Sequence, residues 1–361
     1  MSFKIQTLNK IAACGLNQLD RDNYEIATDI NNPDAILVRS ADMHSMEIPA
    51  SVKAIARAGA GVNNIPIPEL TEKGVVVFNT PGANANAVKE LVILSLLIAS
   101  RPVVAANKWA NELAGKGDEI PDLAEKGKSQ FVGPELKGKT LGVVGLGAIG
   151  AMVANTAIKL GMNVIGYDPF LSVSAAMNLS HEVKYTSEVE DIYAVSDYIT
   201  IHVPLTDSTK NLVNTDTIAK MKDGVRILNF SRAALVDDAA MINALQSGKV
   251  ASYVTDFPTD DVLDVEGVIA IPHLGASTPE SEDNCAVMAA EELINYLENG
   301  NIVNSVNYPN VSAPKNKANR VCVLYKACDD ALAKITAITK SAAVVSATRK
   351  AYGYAIIDSD E

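Results

Sequence analysis

The sequence predicts an α/β protein with two doubly wound parallel sheets and a small α+β tail. Three observations support this fold class. Short apolar, β-branched runs alternate with helical patterns along most of the chain, as they do in parallel α/β folds. One such run opens onto a glycine-rich turn that leads into a helix of small residues. After a polar segment that contains proline, the order changes to strand, helix, strand, strand.

Composition limits the possible classes of protein. A chain of 361 residues is too long for one ordinary domain. Its 48% hydrophobic and 20% charged residues are typical of a folded protein with real cores. The net charge of −12 argues against nucleic-acid binding through a basic surface.

The cysteines and the apolar runs indicate a cytoplasmic, reduced protein without a metal. The cysteines, Cys14, Cys285, Cys322 and Cys328, are scattered and lack metal-ligand spacing, which argues against zinc and against a disulfide framework. The first residues lack the apolar core and cleavage site of a signal peptide. The densest apolar run, at 91–99, is too short to span a membrane.

The first strand series ends in small polar residues or glycine. Its runs are DAILVRS (34–40), AIARAGAG (54–61) and GVVVFNTPG (74–82). Ligands of open α/β sheets bind at the carboxyl ends of such strands. A long apolar helix is predicted from Ala85 to Lys108, and the polar segment after it, at 113–139, is interpreted as a surface linker or clasp.

A second strand series begins at Thr140, and its six strands suffice for a dinucleotide-binding domain. Their sequences are TLGVVG, NVIGYD, YITIHVP, VRILNFS, ASYVTDF and VIAIPH. A single helix that stops at Gly300 is predicted after them. We expect a discontinuous first domain at 1–86 and 277–312, a second domain at 87–276 and a tail at 313–361.

The motif Gly145-Leu146-Gly147-Ala148-Ile149-Gly150 predicts a Rossmann dinucleotide site, because an apolar strand precedes it and a helix follows. Gly145 makes the tight turn, Gly147 lets the pyrophosphate approach the backbone, and Gly150 allows close packing of helix and strand. The N–H groups at the helix start, from Ala148 and Ile149 onward, face the phosphates.

Asp168 ends the next strand and is predicted to bind the ribose hydroxyls. It would also repel a 2′-phosphate, and Pro169 and Phe170 supply no cation to offset that repulsion. The sequence therefore predicts NAD rather than NADP.

Four later strand ends carry polar residues, and they are the segments HVPLTDST, LNFSRAALVDD, TDFPTDD and IPHLGAST. In this order they resemble the D-2-hydroxyacid dehydrogenases, above all the members that oxidise 3-phosphoglycerate. The resemblance runs from VRSADMH near the start of the chain to Pro309. It implies a flavodoxin-like substrate domain with an inserted Rossmann NAD domain.

The activity that the resemblance implies is NAD-dependent oxidation of 3-phospho-D-glycerate to 3-phosphooxypyruvate, the first step of L-serine biosynthesis. Two alternatives stay open. One is the same chemistry on another D-2-hydroxy acid, such as lactate, glycerate with glyoxylate, or erythronate 4-phosphate. The other is a non-enzymatic NAD-sensing protein, since relatives of this family act as corepressors.

The resemblance assigns catalysis to Arg232, Asp260 and His273. A histidine can take the hydroxyl proton as hydride leaves, since its ordinary pKa is near neutrality. A guanidinium binds a carboxylate through two parallel hydrogen bonds. The family normally has Glu where Asp260 stands, so the shorter carboxylate predicts a looser pairing, with Asp261 and then Glu266 as other candidates.

Further contacts follow from the same resemblance. For the cofactor they are His202, Pro204, Ser231, Asp256 and Gly275, with Asp256 as the partner of the nicotinamide carboxamide. For the substrate they are Arg39, Ser40, Gly61, Val62 and Asn63, together with Arg232. His44 is a weaker candidate, and Lys128 or a residue of a partner subunit is expected to help hold a phosphate. The helix and clasp from Ala85 to Lys137 resemble the family's dimer region, which implies a homodimer.

The tail from Arg320 resembles the start of an ACT regulatory module. The usual turn after its first strand is replaced by ACDD, and the module's second helix and last strand are absent. We therefore expect a sheet with an open edge and incomplete cover.

Overall fold

The computed structural model describes residues 2–315, 317–328, 330–339 and 343–359. Asn316 of the predicted linker, Asp329 of ACDD, and residues 340–342, 360 and 361 of the predicted tail lie outside the described residues. The chain divides into two compact units, Met1–Asn84 with Thr278–Glu361, and Ala85–Ser277. Among the described residues, every helix is too short or too polar to cross a bilayer.

The first unit is built on a five-stranded parallel sheet with the strand order β2-β1-β3-β4-β5. Its elements are β1 (Phe3–Thr7), α1 (Ala13–Leu16), β2 (Tyr24–Ala27), β3 (Ala35–Val38), β4 (Ala54–Arg57), α2 (Ile67–Glu72) and β5 (Val76–Asn79). The sequence prediction began at β3 and missed β1 and β2. Only Tyr24 of β2 is buried, so that strand lacks the apolar run that marks β3.

The second unit begins with two helices, α3 (Ala85–Ser100) and α4 (Val103–Asn111), where the sequence predicted one. The predicted continuous helix is wrong at Pro102. Proline has no N–H to donate and disfavours helical backbone in the residue before it, so the chain starts a new helix there. The predicted clasp contains α5 (Ile120–Gly127), near which Trp109 packs on Phe131 with ring centroids 5.4 Å apart.

A seven-stranded parallel sheet forms the rest of this unit, in the order β12-β11-β10-β9-β6-β7-β8. Its elements are β6 (Thr140–Val144), α6 (Ala148–Lys159), β7 (Asn163–Tyr167), α7 (Val173–Ala176), β8 (Lys184–Thr186), α8 (Val189–Val195), β9 (Tyr198–Ile201), α9 (Thr215–Ala219), β10 (Val225–Asn229), α10 (Asp238–Gln246), β11 (Val250–Thr255) and β12 (Val268–Ala270). The six predicted strands are confirmed, and the missed β8 is a short edge strand. Because β6 lies between β7 and β9, the strand order reverses there, which is where such sheets bind ligands.

The predicted long helix is confirmed as α11 (Pro279–Asn299), which returns the chain to the first unit. The Thr278 side chain accepts a hydrogen bond from the Ser281 N–H and caps its start. Gly300 ends it with φ of 67°, a left-handed conformation that glycine adopts without strain. The small side chains of α11 pack against the sheet, and Gly15 of α1 lies so close that a Cβ there would be 2.5 Å from the Ala286 backbone.

The tail has the predicted order, with β13 (Asn319–Lys326), α12 (Ala331–Thr339), β14 (Ala343–Arg349) and β15 (Tyr352–Ser359) in an antiparallel sheet. The expected lack of cover is wrong for the central strand β15. Tyr354 and Ile356 are each 1% exposed and join the core of the first unit. The Arg320 guanidinium pairs with Asp358 at 2.7 Å and also donates to the Asn299 carbonyl, which ties the tail sheet to the end of α11.

Candidate functional site

Within the second unit, the predicted cofactor and catalytic residues all follow the carboxyl ends of strands. Gly145 follows β6, Asp168 follows β7, His202 follows β9, Arg232 follows β10, Asp256 follows β11 and His273 follows β12. Since these strands are parallel neighbours in one sheet, the side chains lie along one edge of it.

The glycine turn has the close contacts that its motif predicts. Gly145 has φ of 95°, and a Cβ there would lie 2.6 Å from the His202 carbonyl oxygen. A Cβ on Gly150 would lie 1.9 Å from the Gly145 oxygen, whereas the Cβ position of Gly147 is open. The turn thus leaves room above the start of α6, whose first N–H groups have no intrahelical acceptor.

Asp168 is tied to the glycine turn. One of its carboxylate oxygens accepts from the Leu146 N–H and the other from the Phe170 N–H, each at 2.9 Å. Each oxygen keeps a lone pair for a further donor such as a ribose hydroxyl. The carboxylate is therefore fixed beside the turn by the backbone itself.

His202 is held as a neutral ring. Its Nε2 lies 2.9 Å from Thr200 Oγ1, and burial lowers the pKa of His202 to about 4. Its Nδ1 is buried and has no partner among the described residues. A buried polar atom without a partner is costly, which suggests a ligand group at this position.

Asp256 has the same kind of orphaned atom. It is 1% exposed, Oδ2 accepts from the Gly275 N–H at 3.3 Å, and Oδ1 has no partner in the described part of the chain. Burial raises the pKa of Asp256, while the nearby charges of His273 and Arg232 oppose that rise. A carboxamide N–H₂ donating to Oδ1 would satisfy this site, so the residues present fit a nicotinamide.

Phe257 brings the two main catalytic candidates onto one aromatic ring. The His273 ring packs on Phe257 with centroids 4.5 Å apart and 46° between the planes. The Arg232 guanidinium carbon lies 5.7 Å from the centroid of the same ring. Sequence reasoning missed Phe257, although it follows Asp256 directly in a segment chosen for its acids.

The backbone around Arg232 is fixed by its neighbours. The Asn229 side chain donates to the Arg232 carbonyl at 2.9 Å, and the Ser231 hydroxyl donates to the Ile201 carbonyl at 2.8 Å. The Arg232 guanidinium donates to the Ser231 carbonyl at 2.6 Å, and the side chain is otherwise exposed. An exposed guanidinium on a fixed backbone can receive a carboxylate.

The structure does not bring Asp260 to His273. Asp260 begins a short 3-10 turn, is exposed, and makes no hydrogen bond or ion pair with His273, and neither does Asp261. Asp256 lies close enough to His273 for the charge of that ring to oppose the burial that raises the pKa of Asp256. The catalytic role of Asp260 stays a prediction.

In the first unit, the predicted substrate segment is held by a residue that the sequence did not suggest. Asn9 Oδ1 accepts the N–H groups of Arg39, Ser40 and Ala41 at 3.2, 3.0 and 2.8 Å. Asn9 follows β1, the strand beside β3, so the strand-end rule would have found it once β1 was predicted.

Arg39 lies beside a second arginine, Arg57, which was not among the predicted site residues. Arg57 ends β4, and its Nε donates to the Arg39 carbonyl at 3.0 Å. A Cβ on Gly59 would lie 1.7 Å from Arg57 Nη1, so the guanidinium covers that glycine. The Arg39 side chain itself pairs with Glu282 of α11 at 2.6 Å.

The loop that the sequence predicted for a carboxylate offers backbone donors. Among the described residues, the N–H groups of Gly61, Val62 and Asn63 have no hydrogen-bond acceptor. His44 Nε2 lies 3.0 Å from the Asn63 carbonyl, so His44 borders this loop. Lys128, the suggested helper for a phosphate, belongs to the other unit and pairs with Glu125.

Comparisons with known proteins identify the family to which the chain belongs. Residues 94–275 match the model of the NAD-binding domain of D-isomer-specific 2-hydroxyacid dehydrogenases. D-3-phosphoglycerate dehydrogenase of Archaeoglobus fulgidus is 36% identical over 297 residues, 80% of this chain and 54% of its own length. The chain thus spans little more than half the length of such curated relatives.

Two solved structures are similar. NAD⁺-bound 3-phosphoglycerate dehydrogenase of Entamoeba histolytica has a TM-score of 0.66 and 27% identity, covering 85% of this chain and 99% of its own. A glyoxylate reductase from Paecilomyes thermophila has a TM-score of 0.69 and 26% identity, covering 84% of this chain and 98% of its own.

Proposed function

Because the chain belongs to the D-isomer-specific 2-hydroxyacid dehydrogenase family, we propose that it oxidises 3-phospho-D-glycerate to 3-phosphooxypyruvate with NAD⁺. The reaction also yields NADH and one proton, and it would be the first step of L-serine biosynthesis. The observation that carries the proposal is the placement of Arg232 and His273 on one aromatic ring beside the buried Asp256.

The cofactor would be held by the residues whose geometry fits it. The start of α6 would bind the pyrophosphate, Asp168 the ribose hydroxyls, and Asp256 Oδ1 the carboxamide. Neutral His202 would lie against the cofactor without adding a charge. NAD, when bound, supplies the hydride acceptor.

Side chains of this protein would transfer the proton and bind the substrate carboxylate. An imidazole nitrogen of His273 would accept the hydroxyl proton during oxidation and return it during reduction. Arg232 would bind the carboxylate and polarise the forming carbonyl, since its guanidinium is exposed on a fixed backbone. Asp256 would favour the protonated imidazole through its charge.

The first unit by itself holds other residues that would bind anionic groups. Its N–H groups of Gly61, Val62 and Asn63 would donate to a carboxylate, and its Arg39 and Arg57 would bind a phosphate. Ser40 is exposed next to Arg39 and would add a hydroxyl donor. Two arginines would supply the more than one cation that phosphate binding requires.

A substrate panel tests the proposal. Wild type and His273→Ala are compared by NADH absorbance on 3-phospho-D-glycerate, D-glycerate, D-lactate and erythronate 4-phosphate, and on glyoxylate in reverse. We expect the highest kcat/KM with 3-phospho-D-glycerate, and a loss of at least about a hundredfold in His273→Ala. A preference for an unphosphorylated acid would favour the second candidate, another D-2-hydroxyacid dehydrogenase, which the similarity to a glyoxylate reductase supports. Intact NADH binding without any turnover would instead favour an NAD-sensing protein.

We also propose the predicted division into a discontinuous first domain at 1–86 and 277–312, a second domain at 87–276 and a tail at 313–361. A cytoplasmic location and a homodimer are proposed with it. The four cysteines are free thiols in the structure, which suits a reducing compartment. The second unit exposes apolar side chains on and near α3 and α4, at Leu94, Leu97, Val103, Val104 and Val132. A patch of this kind suits contact with a second copy. The molar mass of Val104→Asp and of wild type, measured by light scattering, tests this proposal. A variant that keeps the mass of two chains would show that this surface is not the dimer contact.

A further inference from the structure

The ion pair between Arg39 and Glu282 joins residues that lie far apart in the sequence. Arg39 Nη2 lies 2.6 Å from Glu282 Oε1, and the two side chains are 40% and 42% exposed. Arg39 follows β3, while Glu282 lies in the first turn of α11. Both belong to the first unit, so the pair is a feature of that unit alone.

The pair occupies the guanidinium that is the main candidate for holding an anionic substituent of the substrate. Arg57 lies at the same sheet edge, since Val38 and Arg57 are register partners in β3 and β4. Its Nε is committed to the Arg39 carbonyl, which fixes its position beside Arg39. The subsite therefore contains two guanidinium groups, and the one of Arg39 is paired with a carboxylate.

Because both side chains of this pair are partly exposed, an incoming anion can replace Glu282 as the partner of Arg39. Exposed ion pairs contribute little to stability, because water screens them and both side chains lose rotamer freedom. A phosphate dianion near Arg39 would be attracted by both arginines and repelled by Glu282. A neutral hydroxymethyl group would neither open the pair nor feel the repulsion.

We propose that Glu282 is a specificity-determining residue that competes with the substrate's phosphate for Arg39. The inference rests on the proposed function, since it concerns the subsite for that phosphate. Glu282 weakens the binding of phosphorylated substrate and product and leaves unphosphorylated hydroxy acids unaffected. It thereby limits the preference for phosphorylated substrates and favours their release.

The Glu282→Gln variant tests this role. We expect its KM for 3-phospho-D-glycerate to fall about fivefold, the effect of removing one carboxylate roughly 5 Å from the anion in a watery setting. The KM for D-glycerate stays within about twofold of wild type, and the inhibition constant of inorganic phosphate falls in parallel with the KM for the phosphorylated substrate. The gain shrinks as ionic strength rises, because salt screens exposed charges.

Glu280→Gln is the matched control. Glu280 lies in the same turn of α11 and makes no ion pair within the described residues. It changes net charge equally, so a KM shift as large as that of Glu282→Gln would overturn the inference by showing a general charge effect. An unchanged or raised KM in Glu282→Gln would also overturn it, because Glu282 would then merely position Arg39. Failure of wild type to oxidise 3-phospho-D-glycerate would overturn the proposed function instead, and calorimetric binding of inorganic phosphate to both variants would still decide the role of Glu282.

Discussion

The imidazole of His273 packs on the ring of Phe257, with centroids 4.5 Å apart. The same ring carries the Arg232 guanidinium at 5.7 Å. Phe257 thus sets where the proposed base and the proposed carboxylate ligand lie relative to each other. This makes an apolar side chain a positioning residue for the chemistry.

Replacing Phe257 by leucine removes the aromatic face and leaves an apolar side chain. We expect kcat to fall about tenfold, because small displacements of catalytic groups are costly. The dissociation constant of NADH, measured by fluorescence, is expected to change little. Phe3→Leu, in the other unit, is the control, and equal losses in both variants would point to general destabilisation.

Asp256→Asn separates stability from activity. Burial raises the pKa of Asp256, so the folded state binds its proton more tightly than the unfolded state does, and this contribution to stability is lost as pH rises through the folded pKa. Asparagine avoids the buried charge, so we expect a higher Tm than wild type at neutral pH and a smaller difference near pH 4. We also expect kcat/KM to fall at least about tenfold. A variant with full activity would remove Asp256 from the site.

Asp260 remains the acid predicted from the sequence, and its variants are informative beside those of Asp261. We expect Asp260→Asn to lower kcat more than Asp261→Asn. Both carboxylates are exposed, so neither substitution should change Tm much. Steady-state kinetics measure both values of kcat, and comparable losses of kcat in the two variants would contradict the catalytic role of Asp260.

Outside the site, the buried carboxyl of Glu292 should make the free energy of unfolding depend on pH. It is buried on α11, accepts from the Asn304 side chain at 2.9 Å, and burial raises the pKa of Glu292 to about 8 from its ordinary 4.5. The folded state therefore holds a proton that the unfolded state releases, and stability falls as pH rises between these two values. Glu292→Gln should flatten that decline by up to about 1.4 kcal/mol per pH unit. Urea unfolding across this pH range measures it, and parallel curves for both proteins would contradict the assignment.

Asn9→Ala removes the acceptor for three successive N–H groups. We expect the free energy of unfolding to fall by about 0.5–1.5 kcal/mol, the usual contribution of a hydrogen bond, because the Asn9 contacts are only partly buried. The KM for the anionic substrate should rise more than kcat falls, since the backbone of Arg39 and Ser40 loses its support. Asn9→Asp keeps an acceptor and should restore most of the stability; an equal loss in both variants would argue against the hydrogen bonds.

The sequence by itself predicted the glycine turn, the strand ends beside it and the family. The motif from Gly145 to Gly150 acts through local backbone geometry, and Asp168 lies one strand further along the chain. The residues after each apolar run were also predictable, because parallel strands place their carboxyl ends at one edge. Family membership then follows from the order of these segments.

The tertiary structure alone decided which side chains meet. Glu282 pairs with Arg39 across 243 positions, Asn9 supports Arg39 from a strand that the sequence did not reveal, and Phe257 gathers Arg232 and His273. Asp260 follows the predicted strand but does not reach His273, and the tail strand β15 found its cover in the core of the first unit. The physical reason is the range of the interactions. Turns, caps and strand ends depend on neighbours along the chain, whereas ion pairs and ring contacts depend on packing between segments whose separation in sequence carries no record of their distance in space.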